Sequence, residues 1–180
     1  MSLDDWRSRA VDHAPHDVRS DVLRYVSEPL KDDVLVIGEP ELILWAASSA
    51  RDTDFVVRLI ELRFDGTAVG LSRAIVRARY RQGYGREVLL EPGKPERFLM
   101  ELSPIGVLLQ SGTRLRLDIT SSDFPNFDRN HNTGRPFWAD SDLVTATQTV
   151  FHDDSRRSCL SLPLSGDRHK ISRARQAMSL

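Results

Sequence analysis

Cysteine and long apolar runs are scarce in this sequence of 180 residues. Cys159 is the single cysteine, so an internal disulfide and a multi-thiolate zinc site are excluded. No apolar run approaches the roughly 20 residues of a membrane-spanning helix. Lysine and arginine number 25 and the acidic residues 26, and this net charge of −1 argues against a nucleic-acid-binding or membrane-surface protein. The polar N-terminus lacks the apolar segment of a signal peptide, so we expect a cytoplasmic location.

The common catalytic and cofactor-binding motifs are missing as well. No G-x-S-x-G elbow marks a nucleophilic serine, and no glycine-rich loop marks a phosphate or dinucleotide site. The acidic residues after Asp123 are spaced somewhat like a calcium loop, but Asp128 and Gly134 occupy the positions where such a loop requires a glycine and a glutamate. His131 lies near Asp123 and Asp128, which leaves an autonomous hydrolase with a nearby serine as a minor alternative. The sequence therefore predicts no catalytic, metal-binding or cofactor-binding residue.

Short apolar and β-branched segments recur through the middle of the chain, separated by glycine and proline. They predict ten strands: Val22–Val26, Val34–Ile37, Leu42–Ala47, Asp54–Arg63, Ala68–Arg81, Arg86–Leu89, Arg97–Leu102, Arg114–Thr120, Leu143–Phe151 and Ser158–Leu162. Asp65-Gly66 predicts a hairpin turn. Alternation along two of the strands predicts one buried and one solvated face. The solvated side chains would include Arg77, Arg79, Arg81, Arg116 and Asp118.

The whole pattern favours an all-β fold. Many short strands with few helices fit a β-sandwich, a jelly roll or an immunoglobulin-like fold, and missing crossover helices argue against a parallel α/β sheet. The run Glu41–Ala47 is apolar on both faces, which is typical of a strand covered on both sides. The best candidates for short helices are Leu3–Ala10 and Ile171–Met178. We divide the chain into an N-terminal linker segment (1–18), a domain (19–164) and a polar, basic, flexible tail (165–180).

The segment from Ser121 to Asp142 interrupts the rhythm of the strands. It is longer than most loops and rich in Asp, Asn and Arg, and it also contains several aromatic residues. We expect an ordered loop that packs on its own aromatic side chains. Its amides and carboxylates would cap the backbone in turns.

Residues 114–134, RLRLDITSSDFPNFDRNHNTG, resemble a signature of a known domain family. The family is the C-terminal domain of the Xaa-Pro dipeptidyl-peptidase and cocaine-esterase-like (CocE/NonD) serine hydrolases. Its pattern is a strand ending in Ser-Ser-(Asp/Asn)-Phe-Pro, followed by Asp-Arg-Asn and Asn-Thr-Gly. Asp21–Phe55 with its Asp-Thr-Asp-Phe motif, Ala74–Arg81 and Ala146–Leu164 resemble further parts of that domain in the same order. The resemblance covers Arg19 to Leu164.

The resemblance implies a jelly-roll β-sandwich of galactose-binding-domain-like architecture with few short helices. In relatives this module follows an α/β-hydrolase domain that supplies the Ser-His-Asp triad. The module packs on that domain and helps to shape its site for acyl esters or peptides. No triad position has a counterpart here, so we expect a non-catalytic module that is inactive alone and needs no cofactor. Its expected partner is such a catalytic domain, in cis in relatives and in trans if the two are separate chains; a homo-oligomer is also open.

The residues that match the family motifs are assigned roles as loop braces or interface residues, with Phe124, Phe127 and Trp138 as the anchors of the loop. The assigned residues are Asp52, Asp54, Asp123, Phe124, Asn126, Asp128, Arg129, Asn130, Asn132 and Trp138. The alternative function is that of a free-standing carbohydrate- or ligand-binding β-sandwich. Trp138 is the best candidate for the aromatic platform that such a site requires.

Overall fold

The computed structural model describes residues 19–165 and the backbone of residues 174–179, and this part of the chain contains eleven strands. The strands are β1 (Leu23–Val26), β2 (Val34–Gly38), β3 (Glu41–Ser48), β4 (Asp54–Leu62), β5 (Ala68–Arg77), β6 (Glu96–Glu101), β7 (Ile105–Leu109), β8 (Arg114–Thr120), β9 (Gln148–Val150), β10 (Cys159–Leu164) and β11 (Ala174–Ser179). Short 3₁₀ turns cover Ala78–Tyr80 and Phe137–Ala139.

The strands form two antiparallel sheets that pack face to face. The smaller sheet has the order β1-β8-β4-β5, and the larger sheet has the order β6-β3-β10-β2-β7. Strand β9 pairs with β3, and β11 pairs with β10. The all-β jelly-roll sandwich that the sequence predicts is thereby confirmed.

The core lies between the two sheets. Alternate residues of each strand point into it, as the period of two in a strand requires. The rings of Phe55 from the smaller sheet and Phe98 from the larger one lie 4.8 Å apart between centroids. Fully buried leucines from both sheets, such as Leu44 and Leu117, surround them. Burial of each such side chain stabilises the fold by about 1.5–3 kcal/mol.

The hairpin predicted at Asp65-Gly66 is confirmed. Strands β4 and β5 pair antiparallel on either side of it, from Asp54 opposite Arg77 to Leu62 opposite Ala68. Gly66 has a φ of 84°, a conformation that side chains disfavour. The backbone N–H of Thr67 donates to Asp65 Oδ1 at 2.9 Å and closes the turn.

Several strand predictions need correction. Strand β5 ends at Arg77 and not at Arg81, because the N–H of Arg79 donates to the Asp52 carboxylate at 3.0 Å instead of to a neighbouring strand. Irregular backbone replaces the strand predicted over Arg86–Leu89, and the one predicted over Leu143–Phe151 shortens to β9. Strand β7 has no counterpart in the sequence prediction, since proline and glycine interrupt its apolar pattern.

The helix predicted over Ile171–Met178 is wrong for the part that the structure describes. Residues Ala174–Ser179 form β11, which pairs along all of β10. This pairing satisfies backbone groups that β10 would otherwise expose at that edge. The candidate helix Leu3–Ala10 and the linker segment 1–18 lie outside the described residues, and the proposed domain boundaries stay predictions. Within residues 19–165 and 174–179, no helix has the length and apolar character needed to cross a membrane.

Candidate functional site

The loop between β8 and β9 is fixed at its start by a buried carboxylate. Asp123 accepts a hydrogen bond from Arg58 of β4, and its Oδ2 lies 3.6 Å from Nη1 of Arg73 of β5. The backbone N–H of Asn126 donates to the Asp123 carbonyl at 2.9 Å, and its side-chain amide donates to Oδ1 at 3.3 Å. A buried carboxylate is tolerated only where it is paired and hydrogen-bonded. Asp123 therefore ties the start of the loop to two strands of the smaller sheet.

A second attachment holds the middle of the loop through Asn130. Its side-chain amide donates to Asp52 Oδ2 at 3.0 Å and to Asp54 Oδ1 at 2.7 Å, and both carboxylates are buried. The side-chain oxygen Oδ1 of Asn130 accepts a hydrogen bond from the backbone N–H of Asn132 at 2.9 Å. One amide group thus joins the Asp-Thr-Asp motif to the loop. These two carboxylates therefore bind an amide that lies more than 70 positions away in the sequence.

Arg79 is the centre of this network. Its side chain is 8% exposed and donates in three directions. Nε donates to Asp52 Oδ2 at 2.7 Å, Nη1 to Glu87 Oε2 at 3.3 Å, and Nη2 to the Arg135 carbonyl at 2.9 Å. The planar guanidinium group presents five donors in fixed directions, which a lysine could not reproduce. Arg79 therefore joins the end of β5 to both the Asp52 segment and the loop.

The solvated face predicted for the alternating arginines is wrong. The side chains of Arg79 and Arg81 are only 8% and 4% exposed, because the strand ends at Arg77 and its alternation does not continue through them. Arg116 and Asp118 of β8 are buried as well. They satisfy each other through two hydrogen bonds of 2.7 Å. Paired charged side chains thus occupy buried positions where the alternation of the strand predicts exposure to solvent.

The middle of the loop also carries exposed residues with weaker contacts. Asp128 is about half exposed and accepts one hydrogen bond, from Arg77 Nη2 at 3.2 Å. The Arg129 guanidinium lies 4.8 Å from the centroid of the Phe124 ring, and Phe124 itself is largely exposed. Exposed pairs of this kind contribute about 0–1 kcal/mol each. Their roles as braces or interface residues stay predictions.

The aromatic anchors predicted for the loop are mostly absent. Trp138 is 83% exposed, and Phe124 is exposed too, so neither packs into the domain. Phe127 is half-buried, with the Arg73 guanidinium 5.3 Å from its ring centroid. Asn132 adopts the left-handed region with a φ of 63°, and its side-chain amide donates to the Val144 carbonyl at 2.7 Å. Ionic and amide hydrogen bonds therefore hold the loop more than ring packing does.

Burial and pairing shift two pKa values around the Asp54 carboxylate. Burial raises the pKa of Asp54, while hydrogen bonds from Arg77 and Asn130 oppose that rise. The hydrogen bonds to Asp54 raise the pKa of Arg77 above its ordinary value. Two guanidinium donors reach Asp54, at 3.0 and 3.1 Å. The pair is thus a structural ion pair that also contacts the loop.

The contacts of this network hold the loop against the domain, so its role is structural. Asp123 and Asp128, the carboxylates that the sequence places near His131, have arginine partners instead of a serine relay. In the part of the chain described here, no three His, Cys, Asp or Glu side chains are placed to hold a metal ion. The sequence prediction overlooked Arg79 and Glu87 as members. The signal that could have identified Arg79 is an arginine-rich segment in a chain that also carries an Asp-Thr-Asp motif.

Comparisons with known proteins agree with this geometry. The family model for the X-Pro dipeptidyl-peptidase C-terminal non-catalytic domain matches residues 3–161. The cocaine esterase of Rhodococcus sp. (strain MB1 Bresler) is 34% identical over 155 residues, which is 85% of this chain and 27% of that protein. The chain thus spans about a quarter of the length of this curated relative.

Solved structures show the same fold in larger proteins. An α-amino acid ester hydrolase superposes with a TM-score of 0.82 at 33% identity, covering 87% of this chain and 27% of that one. An aminopeptidase from the marine sediment archaeon Thaumarchaeota archaeon gives a TM-score of 0.82 at 28% identity, covering 87% of this chain and 28% of that one. The braced loop, the jelly-roll sandwich and the family match lead to one conclusion: the chain belongs to the X-Pro dipeptidyl-peptidase C-terminal non-catalytic domain family.

Proposed function

We propose that this module docks on an α/β-hydrolase catalytic domain through the outer face of its larger sheet. The observation that supports docking is a set of apolar side chains on that outer face. We call this set the apolar face: Leu35, Ile37, Ile43, Trp45, Leu99 and Leu108. Four of them are between 38% and 56% exposed, and Ile43 and Trp45 are half-buried. Apolar surface gathered on one face of a soluble domain is typical of an interaction site.

The strand register places these side chains on one side of the sheet. Leu35 lies directly opposite Leu108, and Ile43 directly opposite Leu99. Directly opposed residues of antiparallel strands point to the same face. Val36, the neighbour of Leu35, is fully buried in the core, so Leu35 must point outward. The sequence prediction that the Glu41–Ala47 run is covered on both faces agrees with a partner on this side.

The lengths and the family of the relatives indicate which kind of domain would cover the apolar face. The matched segment is about a quarter of each relative described above, and its family is described as non-catalytic. The larger remainder of each relative must then carry the catalytic groups. Permanent interfaces are more apolar than transient ones, which fits the side chains of the apolar face. We propose docking in cis in a longer protein, or in trans on a separate catalytic chain.

The substrate class is a proposal drawn from the same relatives. They are named a cocaine esterase, an α-amino acid ester hydrolase and an aminopeptidase. The partner domain is thus proposed to act on acyl esters or peptides, with this module forming part of the wall of its substrate site. The cytoplasmic location and the self-association of a chain without a partner stay predictions.

A chimera tests the docking surface. The matching segment of the Rhodococcus cocaine esterase is replaced by this chain, and ester hydrolysis and the melting temperature of the chimera are measured. The double variant Ile37→Glu with Leu108→Glu should lower both, because two carboxylates would be buried without partners. The matched control is Phe64→Glu, which changes an exposed ring outside the apolar face, in the turn between β4 and β5.

The free 180-residue chain provides the second half of the test. Since the substituted side chains are exposed in the free chain, all variants should melt there close to the unaltered chain. Docking through the apolar face is contradicted if the double variant and Phe64→Glu behave alike in the chimera. An inactive chimera that melts as two independent units contradicts docking itself.

A further inference from the structure

A small pocket lies between the turn that follows β5 and the second half of the long loop. Its volume is about 180 Å³. Tyr80 and Glu87 line one side, Thr133 and Arg135 line another, and Trp138 forms part of the wall. Asp52 and Arg79 of the bracing network also line it. None of these residues belongs to the apolar face, so the pocket is a separate feature of the surface.

The arginines that line this pocket are already matched by carboxylates. Arg77 pairs with Asp54 and Asp128, Arg79 with Asp52 and Glu87, and Arg135 with Asp140 and Asp142. These pairs set six carboxylates against three guanidinium groups, so the wall and its partners carry an excess of negative charge that disfavours an anionic ligand. The wall still offers guanidinium N–H donors beside carboxylate acceptors. A ligand hydroxyl group both donates and accepts, so hydroxyls match this wall better than a lone charge does.

Two aromatic rings line the same pocket, those of Trp138 and Tyr80. Trp138 is exposed over 83% of its surface. Tyr80 packs against Tyr84 with 5.6 Å between ring centroids, and Tyr84 is exposed too. The Tyr80 hydroxyl donates to Glu87 Oε1 at 2.7 Å, so its oxygen can still accept a hydrogen bond. Binding sites commonly combine such apolar ring surfaces with a few converging polar groups.

We propose that this pocket binds one neutral pyranose ring. The flat C–H face of the sugar lies against Trp138, and its hydroxyls bond with Glu87, Arg135 and the Tyr80 oxygen. Glu87 and Arg135 are the suitable polar groups because their side chains are 49% and 60% exposed to solvent. This binding activity goes beyond the proposed docking function and does not rest on it.

Titration of the 180-residue chain with neutral glycosides tests the proposal. The probes are the methyl glycosides of glucose, galactose, mannose and N-acetylglucosamine, followed by amide and indole NMR shifts. At least one probe should bind saturably, with shifts confined to the pocket and including the Trp138 indole N–H. Trp138→Ala should weaken that binding about tenfold or more, and Glu87→Gln should weaken it too. Phe64→Ala, an exposed ring elsewhere, is the matched control and should bind as the unaltered chain does.

Three results would overturn the proposal. The first is the absence of saturable binding by every glycoside at tens of millimolar. The second is equal binding by Trp138→Ala and Phe64→Ala, since it would show that the sugar binds outside this pocket. The third is binding of glucuronate at least as tightly as of methyl glucoside, because the excess of carboxylates around the pocket should disfavour the negatively charged sugar. Trp138→Ala should not change the melting temperature, so a loss of binding cannot be attributed to unfolding.

Discussion

Removal of the Asp52 carboxylate should destabilise the domain strongly. Asp52 is fully buried and accepts the Nε–H of Arg79 at 2.7 Å, the backbone N–H of Arg79 at 3.0 Å and the amide of Asn130 at 3.0 Å. Breaking a buried ion pair from one side costs about 3–5 kcal/mol, because the remaining charge stays buried. Glu87 and the Arg135 carbonyl still contact Arg79 in Asp52→Ala, so we expect the lower end, about 3 kcal/mol.

Thermal and urea unfolding of the 180-residue chain measure this loss. A decrease of about 3 kcal/mol lowers the melting temperature of a domain this size by roughly 6–12 °C. Asp128→Ala is the matched control, because Asp128 is a carboxylate of the long loop with one hydrogen bond and a side chain that is about half exposed. It should change stability by less than about 1 kcal/mol. Arg79→Met alone should lower the free energy of unfolding as much as Asp52→Ala alone. The double variant should lose little more than either single variant, because the two side chains form one unit. Equal losses for Asp52→Ala and Asp128→Ala would refute the reasoning.

Two smaller effects can be measured on the same chain. Gly134 and Gly93 share a φ of 79°, but a Cβ at Gly134 would lie 3.2 Å from a neighbouring Cβ, whereas a Cβ at Gly93 meets nothing within 4 Å. Gly93→Ala should therefore cost about 1–2 kcal/mol from the backbone alone, and Gly134→Ala should cost clearly more in urea unfolding; equal costs would contradict the close approach. Hydrogen bonds from Ser155 and Arg156 lower the pKa of Asp153 from 3.8 to about 2. The stability that this carboxylate contributes is present above pH 3.8 and is lost as the pH falls toward 2. A carboxyl-carbon NMR titration should show that low midpoint and an upward shift in Ser155→Ala; an unshifted midpoint would contradict it.

The strands that the sequence predicts well are those with local signals. Arg114–Thr120 alternates strictly and forms β8 with those bounds, and the Asp65-Gly66 turn sets the register of β4 against β5. Such patterns depend on neighbours in the chain, so they can be read without the fold. Strand β11 shows the opposite case, since it forms by pairing with an edge of β10.

The candidate site was predictable in its residues but not in its partners. The family motif pointed to Asp52 and Asn130, and the structure joins the two by a hydrogen bond of 3.0 Å. The family motif did not point to Arg79, which the alternation of the strand predicts to be exposed to solvent. The strand ends before Arg79 only because a distant carboxylate captures its backbone N–H. This hydrogen bond joins residues that are far apart in the sequence, so no local sequence pattern predicts it.

The bonds of Asn130 also constrain the order of folding. Its two carboxylate partners, Asp52 and Asp54, lie 78 and 76 positions earlier in the chain. Closing so long a segment costs conformational entropy that only an assembled sheet can offset. The loop must therefore acquire its native shape late, after β4 and β5 have paired. The time at which the loop becomes resistant to proteolysis would then mark the end of refolding of the domain. It would come later than the burial of Phe55 and Phe98.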